Sequence, residues 1–194
     1  MNIIIFGTMG SGKDSVARLI QLTAYEKDYV IGKLGGAIRS DVDRVATEGA
    51  DKRQLYQDYG ETMRDLFGKD HWNNIIDSKF SEILEAYPSS SFIIADARQP
   101  HEMDYWTARG FITVGVTAGE TKRLERLKDR DGVDQTHRLG HITEQTAEQC
   151  VSYCNYIVEN NGSLEDLMDA VATLMEAIDE MQYGLGDDRD DSED

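Results

Sequence analysis

The chain has 194 residues, which fits one domain with at most a small insertion. Its 40% hydrophobic and 29% charged content suits a soluble globular protein, and no apolar run approaches the roughly 20 residues that span a bilayer. A net charge of −17 excludes the basic footprint that nucleic acid or an anionic membrane demands, so neither is expected as a partner. Part of that charge is local: the tail from Gly184 to Asp194, "GLGDDRDDSED", has six acids and one base, or −5, leaving −12 for the rest. Such a stretch buries nothing and reads as a disordered end, so residues 1–183 are taken as the domain and 184–194 as the tail. The start reads as a first strand and not as a signal peptide, which makes the cytoplasm the expected compartment.

Taken in chain order, short apolar runs alternate with helical stretches. Strands are predicted at Ile3–Phe6, Tyr29–Leu34, Phe92–Ala95, Phe111–Val116 and Tyr156–Val158. Helices are predicted at about Lys13–Ala24, Gly36–Thr47, Lys52–Phe67, Trp72–Ala86, Glu102–Arg109, Glu120–Asp129, Thr143–Tyr153 and Ser163–Met181. "SFIIADAR" and "FITVGVT" are dense in Ile, Val and Phe, as strands covered on both faces are. The alternation predicts an α/β fold, a parallel sheet flanked by helices, with ligands at the carboxyl ends of its strands.

The first strand runs into "GTMGSGKDSV", which opens the first helix. This is the strand–loop–helix context of a P-loop. Gly7, Gly10 and Gly12 let the backbone N–H groups of the loop, including those of Met9 and Ser11, converge on phosphate oxygens. The helix N-terminus adds roughly half a positive charge, and Lys13 a whole one. The loop says that a nucleoside triphosphate binds. Asp14 stands where a hydroxyl usually ligates Mg²⁺. A carboxylate is also a hard-oxygen ligand, so either Asp14 or, with a shifted register, Ser15 takes the metal.

The arginines point to the second substrate. Arg98 lies just past the "IIADA" strand, with Asp96 two residues before it. Arg53 and Arg64 lie in "KRQLYQDYGETMRDLF". Arg123, Arg126 and Arg130 share one helix face, as a lid over phosphates or as a solvated surface. An alcohol acceptor needs a base; a nucleoside monophosphate, already largely a dianion near neutral pH, needs guanidinium groups instead. Many arginines near the loops, and no Ser/His pair of catalytic aspect, tilt the reading toward a phosphate acceptor.

Four stretches together resemble the bacteriophage-type deoxynucleoside monophosphate kinases. They are "GTMGSGKDS", "RQLYQDYGETMRDLFGKDHWNN", "IIADARQPHEMDYW" and "YIVENNGSLEDL", in that family's order from about Asn2 to Leu167. The resemblance implies a nucleoside monophosphate kinase-like P-loop fold that uses ATP and Mg²⁺ to make a deoxynucleoside diphosphate. It implies an acceptor-binding helical segment at about 36–86 and a lid at about 120–142. By position, Arg64 and Arg98 would hold the acceptor phosphate, with Arg53 in support. Asp96 would organise the metal, Arg126 and Arg130 would belong to the lid, and Asn161 and Gly162 would lie near the adenine. Trp72 would face the acceptor base or simply pack. "KLGGAIRSDV" departs from the family's usual stretch, which leaves Arg39 as a phosphate contact in question. The family precedent suggests a homodimer. A kinase of dephospho-coenzyme A or of another small phosphorylated metabolite is the alternative within the fold, and a non-catalytic nucleotide-binding module the alternative outside enzymes.

His137-x3-His141 and Cys150-x3-Cys154 have helical spacing for a four-ligand zinc site. The cysteines read better as small packing residues on the helix before the last strand, and no disulfide framework is indicated.

Overall fold

The computed structural model describes residues 1–24, 26–132 and 142–184. Five strands, β1 (Asn2–Phe6), β2 (Tyr29–Gly32), β3 (Ser91–Ala97), β4 (Phe111–Thr117) and β5 (Tyr156–Glu159), form one sheet in the order β2-β3-β1-β4-β5. Every pairing is parallel, with Ile3 beside Ile93 and Ile112, and Val116 beside Val158. The helices between them are α1 (Lys13–Thr23), α2 (Leu34–Val45), α3 (Lys52–Phe67), α4 (His71–Ala86), α5 (Pro100–Thr107), α6 (Glu120–Asp131), α7 (Ile142–Ser152) and α8 (Leu164–Gly184). The tail from residue 185 on, and with it most of the acidic end, lies outside the described residues.

The strand residues sort by parity. Ile3, Ile5, Ile93, Ala95, Val114 and Val116 face α1 and α8 through Val16, Ile20, Leu167, Val171 and Ile178. Ile4, Phe6, Phe92 and Ile94 face the other way, onto Ile76, Phe80, Trp106 and Val151 of α4, α5 and α7. Burial on both faces is why these strands read as continuous apolar runs. On the second face Phe80 and Phe92 stack with centroids 4.0 Å apart, and Trp106 packs against Phe111 at 4.8 Å. The Trp106 indole N–H donates to Asn73 Oδ1 at 2.9 Å, so this buried ring leaves no polar group unpaired.

Two boundaries differ from the sequence expectation for identifiable reasons. β2 ends at Gly32 and α2 begins at Leu34, two residues before the predicted start at Gly36. The first amides of α2 are satisfied from a distance: Leu34 N donates to Asp96 Oδ1 at 2.7 Å and Gly35 N to Asp96 Oδ2 at 3.0 Å. A side chain 62 residues away thus caps the helix, so no local cap marks it. α5 begins at Pro100 and not at Glu102, because Pro suits a first helical position and Glu102 reaches back over the turn.

Candidate active site

The P-loop follows β1 and ends in α1. Gly10 and Gly12 have φ of +78° and +100°, a region that favours glycine. At Gly12 space is closed as well: a Cβ there would stand 2.1 Å from Asn160 Nδ2. That amide donates to Ser11 O at 2.8 Å, and its oxygen accepts from Arg126 Nη2 at 3.1 Å. Arg126 also donates to Asn160 O at 3.0 Å and Gly10 O at 3.4 Å. Asn160, just past β5, therefore braces the loop with Arg126. Asn160 lies in the closing stretch "YIVENNGSLEDL", but the sequence reading falls on its neighbours Asn161 and Gly162, because a contact with the P-loop leaves no local signal.

Lys13 is buried and donates from Nζ to Gly7 O at 2.6 Å and Thr8 O at 2.9 Å. Burial first, and then the charge of Arg98, bring its pKa from 10.5 down to about 7. A phosphate arriving beside it would offset that burial and hold it charged. Ser11 is fully buried, with its Oγ unpartnered among the described residues. Asp14 and Ser15 are exposed in the first turn of α1, and Lys33, from the turn into α2, pairs with Asp14 Oδ1.

Across the turn Lys33–Gly35 stands Asp96, with Arg39 Nη2 at 3.8 Å from its Oδ2. Arg98 follows at the end of β3. Its backbone N–H and that of Gln99 donate to Glu102 Oε2 at 2.7 and 2.9 Å. The Asp-x-Arg-x-Pro-x-Glu pattern is thus a strand end fixed by a helix start: Pro100 sets the turn and Glu102 closes it over the backbone of Arg98. Desolvation pushes Glu102 up to about 7, against the pull of those two N–H groups. Arg98 Nη1 donates to Glu144 Oε1 at 2.6 Å, and the side chain stays about one third exposed.

The remaining predicted residues spread around this centre. Arg53 Nη2 lies 3.1 Å from Met9 Sδ, against the P-loop. Arg64 is half-buried on α3, and its charge is felt at His101 and Glu102. Trp72 is buried, its indole donating to Gly60 O at 3.0 Å and its ring 5.9 Å from that of Tyr59; these are packing contacts between α3 and α4. Arg123 and Arg126 face the P-loop, while Arg130 lies exposed in the last turn of α6. Of the segment expected as a lid, about 120–142, residues 133–141 lie outside the described residues, and with them His137 and His141. Cys150 is buried and Cys154 half-buried, both as free thiols. Asn161 Oδ1 accepts from Gly119 N at 2.7 Å. Ser163 and Asp166 hydrogen-bond reciprocally at 2.7 and 3.2 Å, capping α8 beside Gly162. The closing Asn-x-Gly-Ser stretch therefore has a structural duty of its own.

The sequence pattern of the deoxynucleotide monophosphate kinases matches residues 51–171, well over half of the chain. This protein belongs to that family. The match begins after the P-loop and takes in α3, the Asp96–Glu102 turn and α7. A UPF0200 protein of Methanothermobacter thermautotrophicus is 23% identical over 84% of this chain and 85% of its own length. A dephospho-CoA kinase of Syntrophotalea carbinolica is 31% identical over 50% of this chain and 45% of its own length. In fold the chain resembles TT1252 of Thermus thermophilus at a TM-score of 0.59 and 20% identity, over 91% of this chain and 97% of the other. It resembles an Acinetobacter baumannii shikimate kinase at 0.55 and 16%, over 91% and 92%. A dephospho-CoA kinase of Campylobacter jejuni gives 0.56 and 10%, over 91% and 96%. The architecture is thus that of the P-loop kinases, and this family member is a phosphotransferase. Among its described residues no helix is long and apolar enough to cross a membrane.

Proposed function

We propose that the protein transfers the γ-phosphoryl group of ATP to a deoxynucleoside monophosphate, giving a deoxynucleoside diphosphate and ADP. The observation that carries this reading is Arg98, whose backbone is fixed at a strand end and whose charge acts on the P-loop lysine, with Arg64 on α3. A cation near the donor loop, with a second one whose charge acts at Glu102, suits an acceptor that already bears a phosphate.

In this reading Lys13 and the loop amides hold the β- and γ-phosphates. Arg98 and Arg64 hold the acceptor phosphate, with Arg53 and Arg39 at the rim. An acceptor oxygen attacks the γ-phosphorus, the bond to the β-bridging oxygen breaks, and ADP carries away the electron pair. No proton has to move, because the acceptor is largely a dianion near pH 7. The chain's work is alignment and charge stabilisation. Arg126 keeps the loop in shape, and Arg130 belongs to the edge that covers the γ-phosphate. Asn161 and Gly162 border the adenine.

The donor set fits a nucleotide-borne Mg²⁺: Asp14 and Ser15 are exposed hard-oxygen groups at the helix mouth, and Asp96 stands across the Lys33–Gly35 turn. A metal held there would neutralise phosphate charge, and Lys33 is paired with the Asp14 carboxylate.

A second acceptor, dephospho-coenzyme A, is favoured by the likeness over half the chain to a dephospho-CoA kinase. The test is ADP release from Mg²⁺-ATP with each deoxynucleotide, each ribonucleotide and dephospho-coenzyme A in turn. Stimulation by one or more deoxynucleotides is expected. Stimulation by dephospho-coenzyme A alone would move the acceptor, and stimulation by none would leave a nucleotide-binding module.

A further inference from the structure

Glu144 has no part in the reading above, yet it is among the most buried charged side chains of the molecule, 5% exposed in the first turn of α7. Its carboxylate bridges two parts of the site. Oε2 accepts the backbone N–H of Met9 at 2.6 Å, and Oε1 accepts Arg98 Nη1 at 2.6 Å. One contact is to the donor loop and the other to the arginine assigned to the acceptor. The three residues lie on separate elements, 135 and 46 positions from Glu144.

We propose that Glu144 is a positioning residue for phosphoryl transfer, holding the Arg98 guanidinium in register with the P-loop so that acceptor and donor phosphates meet in line. This rests on the acceptor reading of Arg98. A buried carboxylate needs partners for both oxygens, and these two supply charge-assisted hydrogen bonds. The backbone of Arg98 is already pinned by Glu102. What remains loose in an arginine is its side chain, with several rotatable bonds, and Glu144 removes that freedom at one nitrogen. The Nε and Nη2 groups of Arg98 make no hydrogen bond among the described residues, and the side chain is 31% exposed. Their hydrogen-bonding capacity is unspent and suits an acceptor phosphate. Misplacing such a group by about 1 Å costs on the order of 100-fold in rate.

Glu144→Ala, Glu144→Gln and Glu144→Asp should be compared in the full chain, each alone and with Arg98→Ala. Thermal unfolding serves as a control for folding. With Glu144→Ala the acceptor kcat/KM should fall about 30- to 100-fold while the KM for ATP changes less than threefold. Glu144→Gln, which keeps the shape and the Met9 contact, should lie between Ala and wild type. In the Arg98→Ala background the same substitutions should cost almost nothing more, since the residue they act through is gone. An activity-independent readout accompanies this: the Arg98 side-chain N–H resonances should be sharp and protected in wild type and exchange-averaged in Glu144→Ala, with the amides of residues 10–14 unmoved.

An unchanged or improved acceptor kcat/KM in Glu144→Ala would overturn the proposal and make the carboxylate an obstacle to phosphate. So would a full effect persisting without Arg98. If wild type transfers phosphate to no nucleotide, the acceptor reading fails on its own, and the proposal fails with it as a role in transfer. The resonances then report only whether Glu144 orders Arg98.

Discussion

The donor side and the acceptor side of the site are built differently. On the donor side, Lys13, Ser11 and Asn160 are nearly or fully buried, and the loop carbonyls of Gly7, Thr8, Gly10 and Ser11 accept from Lys13, Arg126 and Asn160. On the proposed acceptor side, Arg98 follows β3 and is one third exposed, while Arg39 is exposed and Arg64 half-buried on helices with few buried residues: α2 buries Leu34 and Val42, and α3 buries Gly60. The donor cradle is preassembled by packing and hydrogen bonds. The arginines of the proposed acceptor side are more exposed, and Arg98 is held at its tip through one nitrogen, by Glu144. An element with few buried apolar contacts opens at low cost, so α2 and α3 are where acceptor binding can remodel the protein.

The contrast can be broken most sharply at Lys13. Lys13→Ala should abolish turnover, by about 1,000-fold or more, because its charge sits on the transferring group; turnover within tenfold of wild type in an ADP-release assay would end the donor assignment. Arg98→Ala should lower the acceptor kcat/KM by about 100-fold and leave ATP affinity within a factor of about three. An equal loss in ATP binding would mean that the two sides are one unit. Gly12→Ala strikes the brace: a side chain at φ +100° also meets Asn160, so strain of about 1–3 kcal/mol and weaker ATP binding are expected, read by thermal unfolding and calorimetry.

A smaller effect separates the sides by pH. Lys13 sits at about 7 in the folded protein and at 10.5 in an open chain. Between those values the unfolded chain holds a proton that the folded chain lacks, so the Lys13 contribution to stability rises with pH across that window. ATP needs Lys13 charged, so above about pH 7 its binding should take up a proton. Calorimetry at pH 8 in buffers of different ionisation heat should show an uptake of most of one proton, lost in Lys13→Ala. Smallest of all, Trp72→Phe removes one hydrogen bond, to Gly60, at a cost of about 1 kcal/mol in stability, with acceptor KM within twofold if the ring only packs.

The sequence made the donor side legible and the acceptor side only in outline. Strand parity, the Gly7–Lys13 loop and the order of elements depend on local chemistry, which a single chain displays. The distant partners did not show. Asp96 reads as a metal-organising carboxylate, yet it also caps α2 across 62 residues. Arg126 reads as a lid arginine, yet its guanidinium is spent on Gly10 and Asn160. Asn160 lies in the closing stretch but its loop contacts do not show there, and Glu144 carries no motif; only the fold brings Met9, Arg98 and α7 together.

The most direct measurement follows the label. The protein is incubated with Mg²⁺ and ATP labelled at the γ-phosphate, together with a mixture of the four deoxynucleoside monophosphates, and the products are separated. The account predicts label in one or more deoxynucleoside diphosphates, little in inorganic phosphate, and transfer about 100-fold slower with Arg98→Ala. Label that goes only to inorganic phosphate, or that reaches dephospho-coenzyme A and no deoxynucleotide, would contradict it.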